Sequence, residues 1–161
     1  MYYGMLYRFA LSLTKSEAGA CDLTQQTFYL WATRGHQLRD ASKLKSWLLT
    51  TLHREFLSAR RHENRFPHVE VGSVDYELPS ISPTMINEMD ASTVMQALLE
   101  VDETYRVPLT LFYVEELSYK EIAEALGIAA GTVMSRLARA RERLRELSSE
   151  QREPLKTRSV S

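Results

Sequence analysis

The sequence predicts an all-α protein made of two small helical domains joined by a flexible acidic linker. Three observations carry that prediction. The composition favours helix over sheet: only six glycines and five prolines occur in 161 residues, alongside abundant Leu, Ala, Glu and Arg. Apolar residues recur with helical period in two blocks, separated by a stretch that lacks that period. Charge is segregated along the chain. Residues 1–65 carry a formal +5, residues 66–104 carry −8 with no Lys or Arg, and residues 105–161 carry +2, all hidden within a net charge of −1. Two basic blocks around an acidic connector suit two modules that face a polyanion and a middle segment that cannot lie on it.

The first block, residues 1–65, reads as three helices. Leu6, Phe9, Ala10 and Leu13 fall on one face of the first. Ser16 is placed to N-cap a second that runs to about Thr33, with Cys21, Phe28, Trp31 and Ala32 as its expected buried stripe. Gly35 to Ser42 reads as a loop. Ser42 is placed to cap a third helix that directs Leu44, Leu48, Leu52, Phe56 and Ala59 inward and ends near Asn64, before Pro67. Pro67, Gly72, Pro79 and Pro83 then mark a linker over residues 66–89.

The second block spans residues 90–147. A helix is expected from near Asp90 with Val94, Ala97, Leu98 and Val101 on one face, then another from Tyr105 to Glu115 with Pro108 in its first turn. The next run, Leu117-Ser118-Tyr119-Lys120-Glu121-Ile122-Ala123-Glu124-Ala125-Leu126-Gly127, is denser in signals. Ser118 and Glu121 have capping-box spacing, Leu117 and Ile122 occupy the positions of a hydrophobic staple, and Gly127 stands where a left-handed C-cap is expected. Ala123, Gly127 and Val133 then supply a small residue at a helix crossing, a glycine in a tight turn and an apolar anchor. These are the needs of a helix-turn-helix.

The helix that follows, from about Gly131 to Leu147, places Val133, Leu137, Ala140 and Leu144 on one face. Thr132, Ser135, Arg136, Arg139 and Arg143 fall on the opposite face. Hydroxyls and guanidiniums suit phosphates and base edges, so these five are candidate DNA contacts. The same pattern also suits a solvated amphipathic helix in which Glu142 and Glu146 offer ion pairs. Residues 148–161 read as a disordered tail.

Residues 116–147 closely resemble region 4.2 of the extracytoplasmic-function (ECF) sigma factors of the sigma-70 family. The N-terminal block resembles region 2 of that family, through Leu6-Tyr7-Arg8-Phe9-Ala10, Asp22-Leu23-Thr24-Gln25-Gln26-Thr27-Phe28, Ser46-Trp47-Leu48 and Ser58-Ala59-Arg60-Arg61. Both modules occur in the family's order, with only the linker and tail outside the match. Two departures stand out. The family usually carries a further turn or more of helix before Tyr2-Tyr3-Gly4. Ala129 and Ala130 stand where a Ser or Pro often starts the recognition helix, at a cost of about 1 kcal/mol for the lost side-chain cap.

The resemblance implies a factor that binds core RNA polymerase and directs promoter recognition, DNA melting and transcription initiation. Region 4 would bind the −35 element in the major groove and touch the polymerase β flap, while region 2 would bind the β′ clamp helices and capture the melted −10 element. It assigns Asp22, Gln25 and Gln26 to polymerase binding. Gln37, Arg39, Asp40 and Ser42 match the part that handles the non-template strand, where an unstacked base needs polar edges to read it. His53, Arg54, Leu57, Arg60, Arg61 and Arg65 lie roughly along one expected exposed stripe of the third helix, and all but Leu57 are candidate contacts to the promoter near the −10 element. Trp47 suits either a stacking surface or the core. The linker suits either a nucleic-acid mimic in a basic channel or ordinary solvated chain. An anti-sigma factor is the further partner that the family implies.

Other functions fit less of the sequence. A stand-alone helix-turn-helix regulator would account for the second module but not for Asp22 to Phe28. A sigma mimic that sequesters an anti-sigma factor would not need Arg136, Arg139 and Arg143. An enzyme would need a phosphate loop, nucleophile motif or metal cluster, and none is visible. The single cysteine excludes an internal disulfide and a Cys-cluster zinc site; Cys21 is expected to be a buried small hydrophobe. His36, His53, His62 and His68 lack metal-ligand spacing, and the methionines are scattered, so no cofactor is expected. No stretch approaches the ~20 apolar residues of a membrane span, and a cytoplasmic location is expected.

Overall fold

The structure, a computed structural model, describes residues 1–65 and 98–150, with side chains described as far as Glu142. The expected linker, the expected start of the second block at Asp90 with Val94 and Ala97, the tail beyond Glu150, and the side chains of Arg143 and Leu144 therefore lie outside the described residues. Every regular element described is helical.

The first module contains α1 (Tyr3–Thr14), α2 (Glu17–Arg34) and α3 (Leu44–Arg65). Lys15 ends α1 by entering the left-handed region at φ 55°, where its N–H donates to the Leu11 carbonyl. Ser16 then caps α2, accepting from the Gly19 amide at 3.1 Å. So short a turn makes α1 and α2 antiparallel neighbours. Leu6, Phe9, Ala10 and Leu13 are buried, as their spacing predicts.

The buried stripe of α2 differs from the expected one. It consists of Ala20, Thr24, Thr27 and Leu30, while Cys21, Phe28 and Trp31 are half-buried and Ala32 is exposed. The threonine hydroxyls donate to the Ala20 and Leu23 carbonyls at 2.7 and 2.8 Å, so each side chain is buried with its polar atom satisfied. The aromatic residues form the edge of the module instead. Phe28 stacks on Tyr3 at 6.2 Å, and Trp31 meets Trp47 edge-on at 5.5 Å. Trp47, half-buried, is thus part of the packing. Gly35 lets the chain pass over the Trp31 indole, because a Cβ there would fall 2.5 Å from the ring.

Two short 3-10 turns, Gly35–Gln37 and Ala41–Lys43, lead into α3. Asp40 caps the second of these turns, and Ser42 is its donor rather than a cap of α3. Its carboxylate accepts from the Ser42 amide at 3.0 Å and the Ser42 hydroxyl at 2.6 Å. Leu48, Leu49 and Leu52 form the buried face of α3, Leu44 and Phe56 are half-buried, and Ala59 is exposed rather than inward. Ala59 lines a groove between the start of α2 and the C-terminal half of α3, where the helices do not close on each other.

In the second module Leu98 and Val101 are buried, as expected. Asp102 accepts from the Thr104 amide at 2.9 Å and starts α4 (Glu103–Leu109) two residues before the expected Tyr105. Pro108 consequently sits in the second turn rather than the first. It offers no amide to the Thr104 carbonyl and its ring crowds that carbonyl. The chain winds wider directly afterwards, as a π turn over Thr110–Val114 in which the Glu115 amide reaches back to the Thr110 carbonyl at 3.2 Å. The helix-turn-helix follows as α5 (Tyr119–Leu126) and α6 (Ala130–Glu150).

The two modules dock. α1 packs on α4 and the π turn, and α3 packs on α5, so their buried apolar residues form one contiguous cluster. Polar contacts cross the same boundary. Arg8 donates Nε and a terminal nitrogen to the Glu115 carboxylate at 2.5 and 3.0 Å. Arg106 donates to the Ser12 carbonyl at 2.5 Å. Lys45 meets Glu121 at 3.3 Å, Ser46 meets Glu124 at 3.1 Å, and Arg60 meets Glu103 at 2.8 Å.

His53 departs from the exposed stripe expected of it. It is half-buried and stacks on Phe9 at 6.3 Å. Burial pushes its pKa below the ordinary value, partly opposed by the charge of Glu103. The unfolded chain therefore takes up this proton first as pH falls. The stabilising effect of neutral His53 is fully present above about pH 6.5 and is lost as pH falls through the lower folded value. In denaturant titrations, stability of the native chain is expected to decline from pH 7.5 to 5.5 more steeply than that of His53→Gln. Parallel pH profiles would refute this.

Candidate nucleic-acid interface

The capping box at the start of α5 is complete. The Glu121 amide donates to the Ser118 hydroxyl at 3.1 Å, and the Ser118 amide donates to the Glu121 carboxylate at 2.8 Å. That amide, followed by the Ser118 hydroxyl and Lys45, holds the Glu121 carboxyl below its usual pKa against a smaller effect of burial. Leu117 and Ile122 are both buried, as a hydrophobic staple requires. Gly127 closes the helix at φ 65°, ψ 35°, with its N–H on the Ala123 carbonyl. A Cβ there would meet nothing within 4 Å, so the backbone angle alone calls for glycine.

Main-chain bonds start α6, with the Ala129 carbonyl accepting from the Thr132 and Val133 amides at 3.0 and 3.2 Å. These stand in for the side-chain cap that Ala129 and Ala130 cannot supply. Val133, Leu137 and Ala140 are buried. Thr132 and Arg136 are half-buried and Ser135 and Arg139 are exposed, so the structure brings the predicted contacts together on an open face. The Ser135 hydroxyl donates to the Gly131 carbonyl at 3.0 Å, which leaves its oxygen able to accept.

Two further α6 residues matter. Met134 is 49% exposed, seven residues before Arg141 and so on the same side of α6. Arg141 faces away from Thr132, Ser135, Arg136 and Arg139. It donates to the Tyr113 hydroxyl at 2.7 Å and lies over the rings of Phe112 and Tyr113 at 5.5 and 5.7 Å, bracing α6 against the π turn. The Tyr113 hydrogen bond raises its pKa further. Its place eight residues after Val133, flanking the apolar stripe, is the sequence signal for this role.

In the first module, Asp22, Gln25 and Gln26 are all exposed on one side of α2. Asp22 and Gln26 border the α2–α3 groove, whose floor includes Leu13, Leu23 and Phe56; Gln25 stands outside its lining. Gln37, Arg39, Asp40 and Ser42 are exposed on or beside the two 3-10 turns. Bonds from the Ser42 hydroxyl and amide hold the Asp40 carboxyl below the usual carboxylate range. Arg54, Arg61 and Arg65 are exposed along α3, whereas Arg60 lies over Phe56 at 5.6 Å and reaches Glu103. Among the described residues no group of three His, Cys, Asp or Glu could hold a metal ion, and no helix is long and apolar enough to cross a membrane.

Because Ser118 satisfies an otherwise orphaned helix amide, Ser118→Ala is expected to destabilise the chain by about 1 kcal/mol in equilibrium denaturation. A change within experimental error would show that the cap adds nothing to folding.

Comparison with known proteins agrees with this geometry. The family model described as Sigma-70 region 2 matches residues 1–66, and that of Sigma-70 region 4 matches residues 92–144. The ECF RNA polymerase sigma factor SigM of Bacillus subtilis is 34% identical over 151 residues, covering 91% of this chain and 90% of its own length. SigL of Mycobacterium tuberculosis is 34% identical over 145 residues, covering 88% and 81%. Among solved structures, the sigma factor RpoE of Bartonella quintana, in complex with the anti-sigma factor NepR, superposes with a TM-score of 0.69 at 30% identity, covering 93% of each chain. Two matched modules in order, full-length relatives and a shared fold lead to one conclusion: the chain belongs to the ECF sigma factors of the sigma-70 family.

Proposed function

We propose that this chain binds core RNA polymerase and directs promoter recognition, DNA melting and transcription initiation. The observation that carries the proposal is the two-sidedness of α6. Val133, Leu137 and Ala140 are locked into the second module, while Thr132, Ser135, Arg136 and Arg139 stand together on its open face. A helix held in this way can enter a major groove and present those side chains to the −35 element, with Arg143 expected to extend the contact along the phosphates. Asp22, Gln25 and Gln26 suit a helical partner such as the β′ clamp helices, and the second module suits the β flap. Gln37, Arg39, Asp40 and Ser42 suit the melted −10 strand. Arg54, Arg61 and Arg65, with Arg60 once released from Glu103, suit the adjacent phosphates.

The chain itself catalyses nothing in this reading; it supplies binding energy and strand capture in the cytoplasm, and polymerase supplies the chemistry. Because the RpoE relative is complexed with an anti-sigma factor, we infer a partner of that kind here too.

In vitro transcription with core polymerase tests the proposal. Promoter-dependent RNA is expected only when the chain is added. Tight duplex binding without polymerase, and no initiation with it, would favour a stand-alone regulator; anti-sigma binding without either would favour a sigma mimic. Arg136→Ala is expected to weaken use of promoters with a −35 element by ~1–3 kcal/mol. Gln25→Ala is expected to compete less well for core polymerase while leaving promoter preference intact. Unchanged promoter use or unchanged competition would remove the respective residue from the interface.

A further inference from the structure

On α2 the usual order of burial is reversed. Thr24 and Thr27 point inward and are fully buried, while the ring of Tyr29 stands 62% exposed. The Thr33 hydroxyl donates to the Tyr29 carbonyl at 3.0 Å, but the Tyr29 hydroxyl has no hydrogen-bond partner among the described residues. A single exposed aromatic residue is ordinary on a protein surface. The place of this one is not. Each helical residue turns the chain by about 100°, so Tyr29 lies about 20° from Asp22 around the axis, about 40° from Gln25 and about 60° from Gln26. It falls inside the arc that those three residues span, and it follows Asp22 by about 10 Å along the helix.

This side of α2 is also nearly uncharged. From Asp22 to Thr33 the exposed residues are Asp22, Gln25, Gln26, Tyr29, Ala32 and Thr33. Only Asp22 among them carries a charge, in a chain of which 25% is charged. The exposed cations stand on other helices, as Arg54, Arg61 and Arg65 on α3 and Arg139 on α6. A nucleic-acid backbone is bound through such cations, and the α2 face offers it none. The centre of a protein–protein interface has the opposite needs. Charges are depleted there and tyrosine is enriched, because its ring gives a large contact area while only two side-chain torsions are fixed. The α2 face has that composition, with its one large ring inside a polar border.

We propose that Tyr29 is the central anchor of the surface that Asp22, Gln25 and Gln26 offer to core RNA polymerase, and that the occupant is a polymerase helix with a cation opposite Asp22 and an apolar socket for the Tyr29 ring about two turns away. The inference rests on the sigma-factor reading and adds a contact of a different kind to it. Asp22 and the two glutamines set the register, since a misplaced partner leaves their polar atoms unpaired. The ring supplies the apolar burial that polar contacts alone lack. It is already exposed and its hydroxyl is unbonded, so α2 can receive its partner without rearranging.

The test measures competition of the full chain for purified core polymerase without DNA, its thermal denaturation, and binding of a −10 single strand by the assembled complex. Tyr29→Ala is expected to lower affinity for core by roughly tenfold or more while the denaturation midpoint stays in place. Tyr29→Phe is expected to keep most of the affinity, because the ring rather than its hydroxyl carries the contact. Wild-type affinity in Tyr29→Ala would overturn the anchor. So would a loss confined to the −10 strand, which would make the ring a stacking platform for a base, and so would a midpoint that falls in step with affinity, which would assign the ring to folding. Asp22→Ala and Gln25→Ala separate the anchor from the reading beneath it. If they weaken core binding and Tyr29→Ala does not, the surface stands and the anchor fails. A wild-type chain that does not bind core would overturn the sigma-factor reading, and this inference with it.

Discussion

The seating of Val133, Leu137 and Ala140 against α4 and α5 is the interaction on which the second module depends. Once that stripe is buried, helical geometry leaves no choice about where Thr132, Ser135, Arg136 and Arg139 lie. The capping box and the left-handed Gly127 set the angle at which α6 leaves α5. Arg141, gripped by Tyr113 and two rings, keeps α6 from rolling about its axis. That open face is the one on which the proposed promoter contact rests.

Charge organises the molecule on a larger scale. The first 65 residues are basic, and carboxylates of the second module are the groups that meet them in the docked form. Most of these pairs are exposed and contribute little singly. The Arg8–Glu115 pair differs because its carboxylate is buried, where removing one partner leaves a charge without water. Arg106 is compensated by carbonyls and a helix terminus rather than by a carboxylate bond among the described residues. The boundary between the modules thus combines a continuous apolar cluster with polar contacts.

Burial in the first module follows hydrogen-bond satisfaction as much as hydrophobicity. Thr24 and Thr27 take the core positions of α2 because their hydroxyls bond back to the preceding turn. Ranking residues by apolar character instead puts Cys21, Phe28 and Trp31 inward, yet all three are only half-buried, and Phe28 and Trp31 form a rim where rings meet. The cap of the 3-10 turn Ala41–Lys43, which leads into α3, shows a finer version of the same effect. Asp40 and Ser42 are both good cap formers, and Asp40 prevails because its carboxylate accepts two bonds from Ser42.

Sequence alone determined the all-helical class, the faces of α1 and α6, the Ser16 cap, the Ser118–Glu121 box and the Gly127 turn. Each of these depends on residues within about two helical turns of one another, where spacing is geometry. Tertiary structure decided the rest: that His53 turns onto Phe9, that Arg60 reaches Glu103, and that Arg141 braces its helix while Arg139 stays exposed. It also decided that Arg8 finds Glu115 and that Arg106 caps α1. Those partners are 107 and 94 residues apart. In a chain with 20 basic and 21 acidic residues, no local rule selects one such pair; only the packing of α1 on α4 brings them within reach.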